Sequence, residues 1–315
     1  MRFLYLSLGV TLAGAVALAQ PSTTTTYISD INGGREEASS VQTSGQSSDH
    51  TRTERWQSIN GRSVPLEQVE ERVIQEGPAG KVTERLVKKF SPTGELASTE
   101  RLVTEERKTT GGSTMHQTVF RSDINGSMRQ EEQRTTETRG TGPNTTSETT
   151  IARPTLNGGL ETVEKRSVVT TGTDAAQRSN EIVYRLSPNG GMVEALRQVT
   201  VSTKQKNQST ANTSFYEPGV SGSLELARQS ESTTTKAPDG RETTEVNLYA
   251  RAVDGRVQEN GAPQQIKEQQ IIQRRKNSDG SVTETLSVRR PSISDPGLLG
   301  DLQKISETRC TGKCD

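Results

Sequence analysis

The sequence predicts an all-β fold: a repetitive antiparallel meander of long hairpins, about 32 residues per two-strand repeat, in a curled or closed sheet. Three observations predict it. Turn residues recur with a fixed rhythm, an aromatic slot runs in phase with that rhythm, and the composition suits thin β-structure.

The rhythm comes first. Asn32-Gly33-Gly34, Asn60-Gly61, Thr93-Gly94, Asn125-Gly126, Asn157-Gly158, Asn189-Gly190, Ser221-Gly222 and Asp254-Gly255 lie about 28 to 33 residues apart. A second series falls between them: Gly45, Gly77-Pro78-Ala79-Gly80, Gly111-Gly112, Gly140-Thr141-Gly142, Gly172, Asn207 and Asp239-Gly240. Asn-Gly and Asp-Gly favour type I′ turns, whose two central residues need positive φ. Each half-period of about 16 residues therefore reads as a strand plus a tight turn.

The second marker is aromatic. Tyr27, Trp56, Phe90, Phe120, Tyr184, Tyr216 and Tyr249 each lie four to six residues before a glycine of the first series, and Ile151 stands near the equivalent place in the fifth repeat. The chain is only 3% aromatic, so one ring per repeat is a strong regularity. Apolar residues two places beyond the glycine (Leu96, Met128, Leu160, Met192, Leu224 and Val257) keep the same phase. Such a row is either a thin core or a binding face. Fixed periods of this length mark architectures in which each unit covers its neighbour.

Composition is the third observation. Leu, Ile, Val and Phe make up roughly a fifth of the 315 residues, a level at which a thick core is out of reach. Thr is abundant, and its β-branch suits half-exposed pleated surfaces. Lys+Arg and Asp+Glu are 39 each, so no net field steers the chain toward nucleic acid or anionic lipid. Triplets such as Thr83-Glu84-Arg85, Thr99-Glu100-Arg101 and Glu164-Lys165-Arg166 read as solvated sheet surface that sets register.

These features give about 16 strands and, at ~4.8 Å spacing, a sheet roughly 75 Å wide that must twist, curl, close or split. A β-solenoid with one coil per repeat is the alternative. A lipid-embedded barrel is disfavoured, because Arg129-Gln130-Glu131-Glu132-Gln133-Arg134 leaves no alternating apolar face.

The ends are different in kind. Residues 1–19 read as a signal peptide: Arg2, a short apolar stretch from Phe3 to Leu18, then Ala17-Leu18-Ala19 as a cleavage site before Gln20. The apolar run is too short for a permanent span, and no later run is apolar enough to cross a bilayer as a helix. The β-repeat region is 20–291, with an irregularity at Gly261-Ala262-Pro263. A tail, 292–315, follows. In it Asp295 and Pro296 start a short helix, with Leu298, Leu299, Leu302 and Ile305 at helical spacing. Cys310 and Cys314 are the two cysteines, and in an exported chain they read as a local disulfide.

No catalytic constellation emerges. His50 and His116 lack partners at ligand spacing, and no nucleophile elbow, Walker loop, dinucleotide fingerprint or His-Glu-x-x-His motif occurs. The reading is no enzyme, no cofactor and no metal. Segments Tyr249 to Arg256 and Tyr184 to Gly191 resemble secreted tyrosine–glycine β-repeats of the YD type over a few residues per unit. The period differs and most units lack the aspartate after the tyrosine, so the resemblance implies no function. The expectation is an exported, non-enzymatic structural scaffold of the cell envelope or extracellular space. The alternative is an adhesion or binding module whose aromatic row contacts glycan or protein.

Overall fold

The computed structural model describes residues 21–29, 35–47, 49–123, 125–219, 221–250, 265–292, 298–312 and 314. Its strands are β1 (Ser22–Ser29), β2 (Arg35–Ser47), β3 (His50–Ile59), β4 (Arg62–Gly77), β5 (Gly80–Phe90), β6 (Leu96–Thr109), β7 (Gly112–Ser122), β8 (Met128–Thr141) and β9 (Asn144–Pro154), followed by β10 (Leu160–Gly172), β11 (Ala176–Leu186), β12 (Met192–Lys204), β13 (Gln208–Pro218), β14 (Leu224–Lys236), β15 (Glu242–Ala250), β16 (Gln265–Lys276), β17 (Val282–Arg289) and β18 (Gln303–Gly312). Each pairs antiparallel with its sequence neighbours, and β1 pairs with β18 from Ser22↔Gly312 to Ile28↔Ser306. The meander is thus a closed 18-stranded barrel rather than a solenoid. At ~4.8 Å per strand and a tilt near 40°, its diameter is roughly 35 Å, wide enough to leave the interior to water. The accessible surface, 21433 Å², far exceeds the roughly 13,000 Å² of a compact fold of this mass.

Two hairpin chemistries build the two rims. Asn60-Gly61 forms the expected type I′ turn, with φ of 52° and 75° between paired Ile59 and Arg62. The other turns at that rim differ from the expectation. Gly94 donates its N–H to the Ser91 carbonyl (2.9 Å) and Ser91 donates to Glu95 (2.8 Å). The same two bonds recur at Asp123/Gly126/Ser127, Thr155/Gly158/Gly159, Ser187/Gly190/Gly191 and Gly219/Gly222/Ser223. Among the described residues of each loop only the glycine has positive φ, so these are three-residue loops, a type I turn closed by a left-handed glycine. The hairpin register sets Asn125, Asn157 and Asn189 one place later in the loop than a type I′ turn needs. The opposite rim uses two-residue loops at several hairpins, such as Pro78-Ala79 between Gly77 and Gly80 and Gly142-Pro143 between Thr141 and Asn144, and three-residue loops closed by Gly240 and Gly280 at β14/β15 and β16/β17. The turns expected at Asn32-Gly33-Gly34 and Asp254-Gly255, the irregularity at Gly261-Ala262-Pro263, Val257 and the signal segment lie outside the described residues.

A β-bulge sits in every hairpin that turns at the first rim. Register skips one residue opposite Thr26/Tyr27, Arg55/Trp56, Lys89/Phe90, Val119/Phe120, Ile151/Ala152, Val183/Tyr184, Phe215/Tyr216, Leu248/Tyr249 and Leu286/Ser287. The extra residue bends its strand and sharpens the twist, which is the curvature that closure requires. It also corrects the fifth repeat: Ala152, not Ile151, occupies the aromatic slot, and Ile151 lies on the other face.

Cross-strand pairing defines two faces. Tyr27, Trp56, Phe90, Phe120, Tyr184, Tyr216 and Tyr249 share one of them. The buried apolar residues Val87, Val119, Val183, Phe215 and Val288 share the other. On a closed sheet inward side chains converge and outward ones fan apart, so the second face is the inner one. Val169 and Val201, 39% and 47% exposed, belong to the outer face with the aromatics.

The tail departs from the sequence expectation. Leu299 forms a bridge with Pro291, Leu302 is irregular, and Ile305 is the bulged residue of strand β18, so no helix forms among the described residues there. Gly297 and Gly300 dilute helix propensity, and the unpaired edges of β1 and β17 offer β18 two ladders of backbone hydrogen bonds. Asp295 and Pro296 lie outside the described residues.

Candidate functional site

The outer aromatic row follows one rim. All seven rings are half-buried. Each faces a polar or charged residue across one strand boundary: Tyr27 faces Glu307, Trp56 faces Ser40, Phe120 faces Arg101, Tyr184 faces Lys165, Tyr216 faces Arg197 and Tyr249 faces Gln229. The Arg101 guanidinium lies 5.5 Å from the Phe120 ring centroid. Tyr249 donates its hydroxyl to Glu231 (3.0 Å), and burial with that carboxylate pushes its pKa up. Phe90 is opposite Leu96, nearer the rim than the others.

The richest stretch spans β10 to β13. On the outer face of these four strands stand three cations, Lys165, Arg178 and Arg197, and one carboxylate, Glu194. Glu194 faces Tyr184 and accepts hydrogen bonds from Arg197 (2.8 and 3.2 Å), which raise the Arg197 pKa. A recess of about 360 Å³ opens here, lined by Arg178, Arg197, Val199, Tyr216 and Leu224. A larger hollow of about 600 Å³ lies at the other rim, lined mainly by Ser, Thr and Ala residues including Ser202, Thr210 and Ala211, without a ring.

Charge is distributed over both faces. On the outer face Glu84 accepts from Arg72 and Arg101. On the inner face Glu132 accepts from Arg134 and, at 3.1 Å, from Arg153. Their side chains are only 10% and 9% exposed. Burial alone would push both carboxyls up. Hydrogen bonds from the flanking arginines and their positive charge outweigh it and hold both below the ordinary value. Further inner pairs are Arg185–Glu164 (3.1 Å) and Arg166–Glu181 (3.3 Å), and Arg228 stacks on Phe215 at 4.4 Å.

His50 and His116 fall on separate strands, β3 and β7. His50 faces Arg72, and His116 Nδ1 is 3.2 Å from the Thr135 hydroxyl. Among the described residues no group of three His, Cys, Asp or Glu is placed to hold a metal ion. Cys310 and Cys314 are bridged, with Cα atoms 5.9 Å apart. Cys310 sits in β18 between Thr24 and Val282, so the bridge flanks the seam that closes the barrel. The bulge series is what the sequence reading missed. Its only trace in the sequence is a shift of the even strands relative to the odd ones.

No family model and no curated protein matches the sequence. Among solved structures, the chain aligns over 93% of its length with 96% of a chain in a Salmonella typhi OmpF complex with daunomycin, at 8% identity and a TM-score of 0.48. It aligns over 93% with 94% of Pseudomonas aeruginosa OccK11 (OpdR), at 10% identity and a TM-score of 0.42. Likeness at these scores identifies neither a family nor a function.

Proposed function

We propose that this chain is an exported, non-enzymatic β-barrel that stands in water, as a structural scaffold of the cell envelope or extracellular space. The observation that carries the reading is the presence of charge on both faces. Strands β3 to β6 alone place Arg52, Glu54, Glu70, Arg72, Glu84, Arg101 and Glu105 on the outer face. An Arg or Lys on the lipid face near the bilayer midplane costs about 2–4 kcal/mol, and Asp or Glu somewhat less. A belt of such residues opposes insertion far more than the half-buried rings favour it. Against water the same residues pair across strands and set register. The signal segment supplies the export half of the reading.

The closed, hollow barrel favours a second reading, a channel through a membrane, and one experiment separates the two. The full-length chain is expressed with its own leader, and the processed protein is fractionated without detergent. Recovery in the soluble fraction, with no conductance on addition to planar bilayers, is expected. Retention in carbonate-washed membranes, released only by detergent and accompanied by discrete conductance steps, would establish the channel instead.

A further inference from the structure

The outer surface of β10 to β13 differs from the rest of the barrel in ways that point to a ligand. The chain as a whole is neutral, yet this surface carries three cations against one carboxylate. Lys165 and Arg178 are exposed and have no ion-pair or hydrogen-bond partner among the described residues. Both are therefore free to meet an anionic group. Two rings, Tyr184 and Tyr216, stand one strand apart with Arg197 between them. Their separation is on the order of 10 Å from strand spacing, about the length of a disaccharide. The recess beside Tyr216 gives one sugar a seat. Next to it Asn180, paired with Val199, has a side-chain carbonyl that no protein donor reaches.

We propose that Tyr184, Tyr216, Lys165 and Arg178 form a binding surface for an acidic polysaccharide. The tyrosine faces stack on alternate sugar rings, as amphipathic rings do where one side is apolar and the other wet. Lys165 and Arg178 pair with the sugar carboxylates, and Arg178 offers a planar fork matched to that group. Arg197, already engaged by Glu194, holds the floor between the rings. The inference rests on the reading above, since the outer face must meet water for a glycan to reach it.

Binding is measured by calorimetry on the processed full-length protein with oligogalacturonate, and with cellohexaose as the neutral comparison. Binding of the acidic oligomer alone, weakening as salt rises, is expected. Tyr216→Ala and Arg178→Gln should each weaken it by about tenfold, with Tyr216→Phe retaining it. Arg62→Gln, on β4 across the barrel, should change nothing. Far-ultraviolet circular dichroism checks that each variant folds. Equal affinity for both oligomers, equal loss in Arg62→Gln, or no binding by a soluble, folded protein would each overturn the inference while leaving the water-standing barrel intact. A protein that stays in the membrane fraction overturns both.

Discussion

Replacing Val183 by alanine should destabilise the barrel more than the same change at Val201, although the strands are adjacent and each valine lies three residues from the end of its strand. Val183 is 1% exposed and Val201 is 47% exposed. Val183 faces Arg166 and Leu196 on the inner surface. Valine to alanine removes two carbons, worth ~0.8 kcal/mol each when fully buried. Part of the space left at Val183 stays empty, which adds to the cost, although neighbours with access to lumenal water relax more than those of a sealed core. The estimate for Val183→Ala is about 1.5–2.5 kcal/mol. At Val201 about half of the transfer contribution applies and no cavity forms, giving roughly 0.5–0.8 kcal/mol. The loss of β-branching acts on both positions alike. Equilibrium urea unfolding followed by circular dichroism measures both. Equal losses, or a larger one at Val201, would refute the assignment of the valine face as the packed one.

Acid should unfold the barrel through its carboxylates. Glu84 and Glu132 are held below the ordinary value of 4.5, so their contribution is full above that value and is lost as pH falls through the depressed one. Stability should hold from neutral pH down to about 4.5 and decline below it, and a Glu84→Gln/Glu132→Gln variant should be weaker at neutral pH but lose less in acid. Cys310→Ser with Cys314→Ser removes a bridge of sequence separation 4, a loop short enough to limit the loss to about 2 kcal/mol. Hydrogen exchange should rise along β1 and β18 and stay unchanged at β9. Uniform exchange would show that the bridge does not act at the seam. Gly80→Ala should prevent normal closure of the rim, because a Cβ there would lie 2.0 Å from the Glu106 carbonyl oxygen, whereas Gly77→Ala meets nothing within 4 Å and should cost little. Thermal melts of the two variants give the comparison, and equal midpoints would contradict the close approach.

The sequence by itself determined the β class, the antiparallel order and the positions of most turns, although it gave about 16 strands where the barrel has 18. Those follow from local chemistry: β-branched Thr favours extended backbone, and glycine admits the positive φ that a hairpin needs. It also determined that the rings of Tyr184, Tyr216 and the others share a face, since period-two alternation carries that information along each strand. Turn type was legible only at Asn60-Gly61. At Gly94 and Gly126 the loop length that selects the turn depends on which residues pair across it, and pairing is not a local property. The bulges at Tyr27 through Ser287, the closure of β1 on β18, and the strand made by Gln303–Gly312 were decided by the tertiary structure. Closure needs curvature summed over eighteen strands, and a segment with weak helix propensity becomes a strand when two open edges await it. The same sum decided which face is packed. Inward side chains converge only once the sheet has closed, and that places Val183 in the core and leaves Tyr184, its neighbour in sequence, on the outer surface.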